Sequence, residues 1–242
     1  MMMISQLIIQ FARPQQIHFT ISPTVFWAMW IGFAALIVLM LYSKIRQVKQ
    51  RSEGLRQLAM QSGYEFFEKP DAALEADLAE IQIQQPRIGA QRFQNVLRGS
   101  YGGHESILAD LTFGQQRQRS YASIMSFKFS EAFPDFYLCP ESTLWKLTEK
   151  LGNKDIDFDD APEFSRKFFL HGKDEAAIRQ FFKRDLTLAF ESGVSGEYFV
   201  CTSGRWLTVY RPNRLLPVAQ VVDLKQKAEA VAEAFRKVRP AF

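Results

Sequence analysis

Cysteine and histidine are scarce in this chain, two of the first and three of the second. Cys139 and Cys201 stand far apart, and neither belongs to a C-x-x-C pair, so the sequence offers no dithiol redox motif and no zinc-ligand spacing. A single disulfide between them is formally open. Their surroundings, "FYLCP" and "YFVCT", are apolar and strand-like, where cysteine serves as a small core residue. His18, His104 and His171 fall in no H-x-x-H or H-E-x-x-H pattern. Also missing are a G-x-S-x-G nucleophile turn, since "GVSGE" at 193–197 has the wrong frame, and any phosphate-cradling glycine loop. We therefore expect no cofactor, no metal and no catalytic residue to be nameable. There is no internal repeat and no low-complexity tract. Basic residues are not interleaved with aromatics as nucleic-acid binding requires, so nucleic acid is not an expected partner.

A further absence is the most informative one. From Val25 to Tyr42 there is no charged residue at all. A helix rises about 1.5 Å per residue and needs roughly 20 apolar residues to cross a bilayer. Ser22–Ser43 meets that length, with "SPT" at 22–24 as a helix start and Trp27, Trp30 and Tyr42 near the two ends, where amphipathic rings favour the headgroup level. A buried helix of a soluble protein would not be apolar all round and then abruptly basic. A cleavable signal peptide would have a charged beginning, a shorter apolar run and a small-x-small site. We expect an uncleaved anchor with the lipid bilayer as its first partner.

The net charge is +4, too small to specify a partner by itself. Its placement says more: Lys44, Arg46, Lys49, Arg51 and Arg56 follow the apolar run against one acid, Glu53. Basic residues flanking a span stay on the cytoplasmic side. The expected topology is that of a single-pass bacterial inner-membrane protein with its N-terminus out. Residues 1–21 would be a short extracytoplasmic segment, 22–43 the transmembrane helix, 44–62 a basic juxtamembrane helix ended by Gly63, and 63–242 a cytoplasmic domain. The five cations are expected at the membrane surface, either as topology determinants or as lipid contacts. Ile45, Val48, Leu55 and Leu58 form a broken stripe that can pack on the domain or on a partner helix.

Beyond Gly63 the hydrophobic period keeps changing. "YEFFEK" predicts a short strand and "DAALEADLAEI" a helix. "FQNVLRGSY", "ESILADLTF" and "YASIMSFKF" alternate with period two across Gly102-Gly103 and a polar turn, which predicts an antiparallel meander with one face buried. "DFYLCP" adds a strand, "STLWKLTEKLG" a helix capped by Ser142, "RKFFLHG" a strand and "DEAAIRQFF" a helix. "EYFVCT" and "WLTVYR" make a hairpin through Ser203-Gly204. From Pro217, Val221, Leu224, Ala228, Val231, Phe235 and Val238 keep helical spacing, too briefly for a coiled coil, so this helix should dock on the sheet. Strands and helices come in runs without βαβ alternation, so the fold class is α+β: an antiparallel sheet packed with helices.

"PEFSRKFFLHGKDEAAIRQFFKRDL", followed by "RWLTVYR", covering about 162–211, resembles a segment of bacterial membrane-anchored families of unknown function. The resemblance implies one or two spans ahead of an α+β domain, and no catalytic residues. Two local features invite chemistry. "DIDFDD", with Asp155, Asp157, Asp159 and Asp160, could open a calcium loop, but that loop needs Gly sixth and Glu twelfth, where Asp160 and Arg166 stand; the other reading is a solvated acidic loop. Phe164, Phe168, Phe169, Phe181, Phe182 and Phe190 form either a core or an apolar pocket. The function expected from this balance is non-enzymatic: an interaction module or accessory subunit of a membrane complex with a protein partner. The alternative is a membrane-tethered enzyme or small-ligand binder whose polar groups converge from separate strands.

Overall fold

A computed structural model of the chain describes residues 23–83, 91–115, 118–144 and 155–238. The described chain divides into two units between Gln47 and Val48. The first contains the start of helix α1 (Pro23–Ser62). That helix is long and apolar enough, from Phe26 onward, to cross a membrane, and none of its most apolar window is buried in the protein. Phe26, Trp27, Trp30, Phe33 and Tyr42 are all exposed.

The second unit is an α+β domain. Its elements are the end of α1, β1 (Glu65–Phe67), α2 (Ala72–Ala79), β2 (Arg92–Tyr101), β3 (His104–Gln115), β4 (Gln118–Lys128) and β5 (Phe136–Pro140). There follow α3 (Glu141–Leu144), α4 (Pro162–Lys167), β6 (Phe168–Gly172), α5 (Glu175–Phe181), α6 (Arg184–Glu191), β7 (Phe199–Ser203), β8 (Trp206–Tyr210) and α7 (Val218–Val238). The strands form one eight-stranded sheet, in the order β1-β2-β3-β4-β8-β7-β5-β6. Every neighbouring pair is antiparallel.

Local chemistry explains most of these elements. Gly63 adopts φ +69°, the left-handed conformation that ends a helix, and stops α1. Asp71 and Asp174 cap α2 and α5 by accepting hydrogen bonds from the backbone N–H groups of Leu74 and Ala177. Gly102 and Gly103 both take positive φ, which the two-residue β2–β3 hairpin demands.

The meander is buried on both faces, a correction to the expectation of one. Ile107, Ala109 and Leu111 pack with Leu74, Leu78, Ile81 and Ile83 of the α2 region. On the other face, Leu108, Met125, Phe127, Leu207 and Val209 pack under Val221, Leu224, Ala228, Val231 and Phe235 of α7. The sheet is the middle layer of the domain, so even the polar positions of its alternating strands lie inside: Ser106, Asp110, Ser123 and Ser126 are buried. Alternation of polar and apolar residues signals solvent only when no helix covers the polar side.

Phe164, Phe168, Phe181, Phe182 and Phe190 belong to the α7-side core and Phe169 to the opposite one. Rings here meet edge-on, as in Phe136–Phe182 at 4.9 Å and Phe133–Phe235 at 5.6 Å, or stacked, as in Phe164–Phe168 at 5.4 Å, arrangements seen between packed aromatics. The core reading of this cluster holds. Helices α4 and α6 were not foreseen. In "RKFFLHG", Arg166 and Lys167 close α4 and the strand begins at Phe168. The expected helix "STLWKLTEKLG" starts one residue ahead of Ser142, at Glu141, and its part from Trp145 lies outside the described residues.

Candidate functional site

The most unusual feature of the domain is a charged pair inside the α7-side core. It begins at an irregularity in β2. Between Gln94 and Leu97 the register with β3 shifts, a bulge in which two residues face one. Asn95 occupies it with φ 49°, a left-handed conformation that asparagine tolerates better than most residues. Its backbone N–H donates to the Glu68 carbonyl at 3.0 Å, and its side chain turns inward. There the Asn95 amide donates to Asp110 Oδ2 at 3.0 Å, while Asn95 Oδ1 accepts from the Ser52 hydroxyl at 2.7 Å.

Asp110, in the middle of β3, is almost wholly buried. A lone carboxylate there would be very costly, and α1 supplies the counterion. Arg51 grips it in a fork: Nε donates to Oδ2 at 2.7 Å and Nη2 to Oδ1. The Ser123 hydroxyl, opposite Asp110 in register on β4, donates to Oδ1 at 3.2 Å. Arg51 Nη1 donates to the Leu216 carbonyl. The Leu216 N–H donates to Ser123 Oγ at 3.1 Å, so the segment between β8 and α7 closes the network. Planar guanidinium suits this fork as lysine would not. Around it, Leu55 and Ala59 of the same helix are fully buried, and Tyr64 hydrogen-bonds Ser106 at 2.8 Å. Burial raises the Tyr64 phenol above its ordinary pKa. The arrangement holds a helix against a sheet.

The cations expected at the membrane surface thus separate. Lys44, Arg46 and Lys49 are exposed. Arg51 is engaged with Asp110, and Arg56 lies over the Phe66 ring at 5.2 Å. Nothing in the sequence marked Asp110 as Arg51's partner, because they are 59 residues apart. The one available signal was an aspartate inside "SILADLTF", where every other residue is apolar or carries a hydroxyl.

The remaining candidates do not converge. His104 stacks on Phe129 at 4.3 Å at the start of β3, and His171 lies on β6. Those strands are third and eighth in the sheet, about 24 Å apart at the usual strand spacing. His18 lies outside the described residues. In "DIDFDD", Ile156 and Phe158 are buried and Asp157, Asp159 and Asp160 exposed. Asp155 Oδ1 accepts from the N–H groups of Ile156 and Leu170, at 2.8 and 2.9 Å. Burial raises the Asp155 pKa, with Asp157 adding repulsion and those N–H groups opposing it. The nearby carboxyl of Glu141 is raised by burial and by Asp155 and Asp157. Among the described residues no three His, Cys, Asp or Glu side chains are grouped to hold a metal. Cys139 and Cys201 are buried and not joined in a disulfide.

No family model matches the chain, and no curated protein does. Among solved structures, the crystal structure of the mycobacterial trehalose monomycolate transport factor A, TtfA, is similar with a TM-score of 0.47 and 14% identity, covering 81% of this chain and 98% of that one. At that distance the likeness carries no argument about function.

Proposed function

We propose that the chain is a single-span bacterial inner-membrane protein whose α+β domain works in the cytoplasm, at the bilayer, as an interaction module or accessory subunit of a membrane complex. In this reading residues 1–21 lie outside, 22–43 span, 44–62 form the juxtamembrane helix and 63–242 face the cytoplasm. The observation that carries it is that one helix serves both ends of the molecule. The α1 residues Leu55 and Ala59 are core residues of the domain, and the same helix begins with the membrane-compatible apolar stretch. A domain that takes core residues from its anchor helix is built to act beside the membrane rather than to be released from it. The five cations after the apolar run favour the cytoplasmic side for everything that follows.

Two measurements test this. Topology is read by thiol labelling, and because Cys139 and Cys201 are buried, the probe is Leu188→Cys at an exposed position of α6. It should stay unlabelled by an impermeant maleimide in intact spheroplasts and react after lysis; labelling before lysis overturns the orientation. Complex membership is read by gentle solubilisation of native membranes, cross-linking and purification of the full chain. A specific membrane protein recovered in fixed ratio is expected, and recovery of the chain by itself in every detergent overturns the role.

A further inference from the structure

The domain has a polarity that its topology makes plain. Following α1 from Arg51 to Tyr64, the contacts move along β3 from Asp110 to Ser106. Helix α1 therefore runs opposite to β3, and Val48, where the domain begins, points toward the far end of β3. One step beyond the Asp110–Ser123 pair on the same sheet face, about 7 Å along the strands, lies the row Arg92, Thr112, Tyr121. Arg119 precedes Tyr121 on β4, and Arg214 bridges to Ala122. Lys49, Arg92, Arg119 and Arg214 are all exposed. Among the described residues none of the four has a carboxylate within ion-pair distance. Between them stand two exposed apolar side chains, Tyr121 and Leu215. The acids nearby are few: Glu53, one turn from Lys49 on α1, accepts from Gln57, Glu197 is tied to Arg211, and Glu68 is followed by Lys69.

The opposite end is different. There Arg98 is paired with Asp77 and Glu105, and Lys128 with Glu80, and the Glu80 carboxyl is held below its ordinary pKa by hydrogen bonds from Lys128 and Trp206. At one end Arg98 and Lys128 are neutralised, while at the other Lys49, Arg92, Arg119 and Arg214 are left bare among the described residues and only Arg211 is paired.

We propose that this bare end is a lipid-docking surface, on which Arg92, Arg119, Arg214 and Lys49 contact anionic headgroups while Tyr121 and Leu215 enter the interfacial layer. The inference rests on the reading of α1 as a membrane span. Given that reading, Val48 lies only five residues from Ser43, at most about 18 Å even for extended chain, so the surface around Val48 is within reach of the headgroups. Cations there are matched in charge to an anionic leaflet, and a tyrosine and a leucine among them suit the interface. The surface goes beyond the juxtamembrane cations because three of its four charges come from β2, β4 and the segment after β8, far away in sequence.

The test uses the full chain in nanodiscs. Leu215→Cys carries an environment-sensitive fluorophore, and the lipid includes a headgroup-level quencher. In phosphatidylglycerol-rich discs the probe should be quenched, and in phosphatidylcholine discs or at high salt it should be released. Each cation near an anionic surface shifts the docked-to-undocked ratio about fivefold, so Arg92→Gln/Arg119→Gln/Arg214→Gln together should lower it on the order of a hundredfold. These positions are exposed, and an unchanged circular dichroism spectrum verifies folding. Quenching that ignores lipid charge, or that survives the triple variant, overturns the docking surface while leaving the span intact. A chain that does not enter the discs at all overturns the reading of α1, and the docking surface with it.

Discussion

Replacing Arg51 with methionine isolates what the buried pair contributes. Methionine keeps the unbranched apolar stem of the side chain and removes the fork that holds Asp110. Taking one partner from a buried ion pair costs about 3–5 kcal/mol, because the other charge stays desolvated. Here Asn95 and Ser123 still donate to Asp110, which places the cost near the lower limit, about 3 kcal/mol. For a domain of this size each kcal/mol lowers Tm by roughly 2–4 °C, so the expected drop is about 6–12 °C. The assay is thermal unfolding of the full chain in mild detergent, followed by near-ultraviolet circular dichroism, in which the buried Trp206 reports domain packing. A second arm makes the test specific. Arg51→Met/Asp110→Leu removes both charges, and it should lose at least about 2 kcal/mol less than the two single losses summed. Additive losses, or an Arg51→Met shift smaller than about 2 °C, would refute the claim that this pair is what holds α1 to the sheet.

Three other outcomes follow from the same geometry. A Cβ at Gly172 would collide with Ile178 and meet the Asp135 carbonyl oxygen at 2.5 Å, so Gly172→Ala should destabilise by about 2–3 kcal/mol in denaturant unfolding; an unchanged midpoint would show that the β5–β6 edge gives way freely. Asp155 has a folded-state pKa raised by burial, so the native state favours its protonated form: the stability this confers is complete below the ordinary aspartate range and is lost as pH rises through the raised value. Asp155→Asn, which keeps an oxygen for the Ile156 and Leu170 N–H groups, should flatten that pH dependence and equal or exceed the parent's stability at pH 7; a steeper profile would refute it. Beginning the chain at Gly63 removes Arg51, Leu55 and Ala59 together and should give an aggregating or molten product, whereas a start at Val48 should give cooperative unfolding by calorimetry.

The periodic segments were legible because each carried a local reason for its shape. Gly63 and Gly102-Gly103 announced a helix end and a turn, and the stripe from Val221 to Phe235 is buried as spaced. Helices α4 and α6 were illegible because they are short and poorly signalled. Helix α4 has six residues and no side-chain cap, and its Pro162 at the first turn was a faint cue. Helix α6 has Leu186 and Phe190 one turn apart, but Lys183 at its start gives no capping bond. The site was illegible for a different reason. Arg51 sits in a basic run that reads as solvated charge, and only the fold brings Asp110 beneath it. Composition assigns a charge to a face; it cannot see which one of several cations meets a buried carboxylate.

That distinction explains why a charged pair stands where an apolar one would bury as much surface. An apolar contact between α1 and the sheet resists a slip by one helical turn through packing alone, the exchange of Leu55 with Ala59 on one buried stripe. The ion pair adds a charge penalty. One turn either side of Arg51 stand Gln47 and Leu55, and neither can neutralise Asp110, so each slipped register leaves a buried carboxylate unpaired at a cost of several kcal/mol. Two short-range constraints act with it: Ser52 must reach Asn95, and Gly54 must pass Val218 so closely that an added Cβ would lie 3.0 Å from its methyl. Since α1 also carries the apolar stretch, fixing its register on the sheet fixes how many residues separate that stretch from the domain. For a domain whose bare cationic end is to meet headgroups, that spacing is the quantity that has to be held constant.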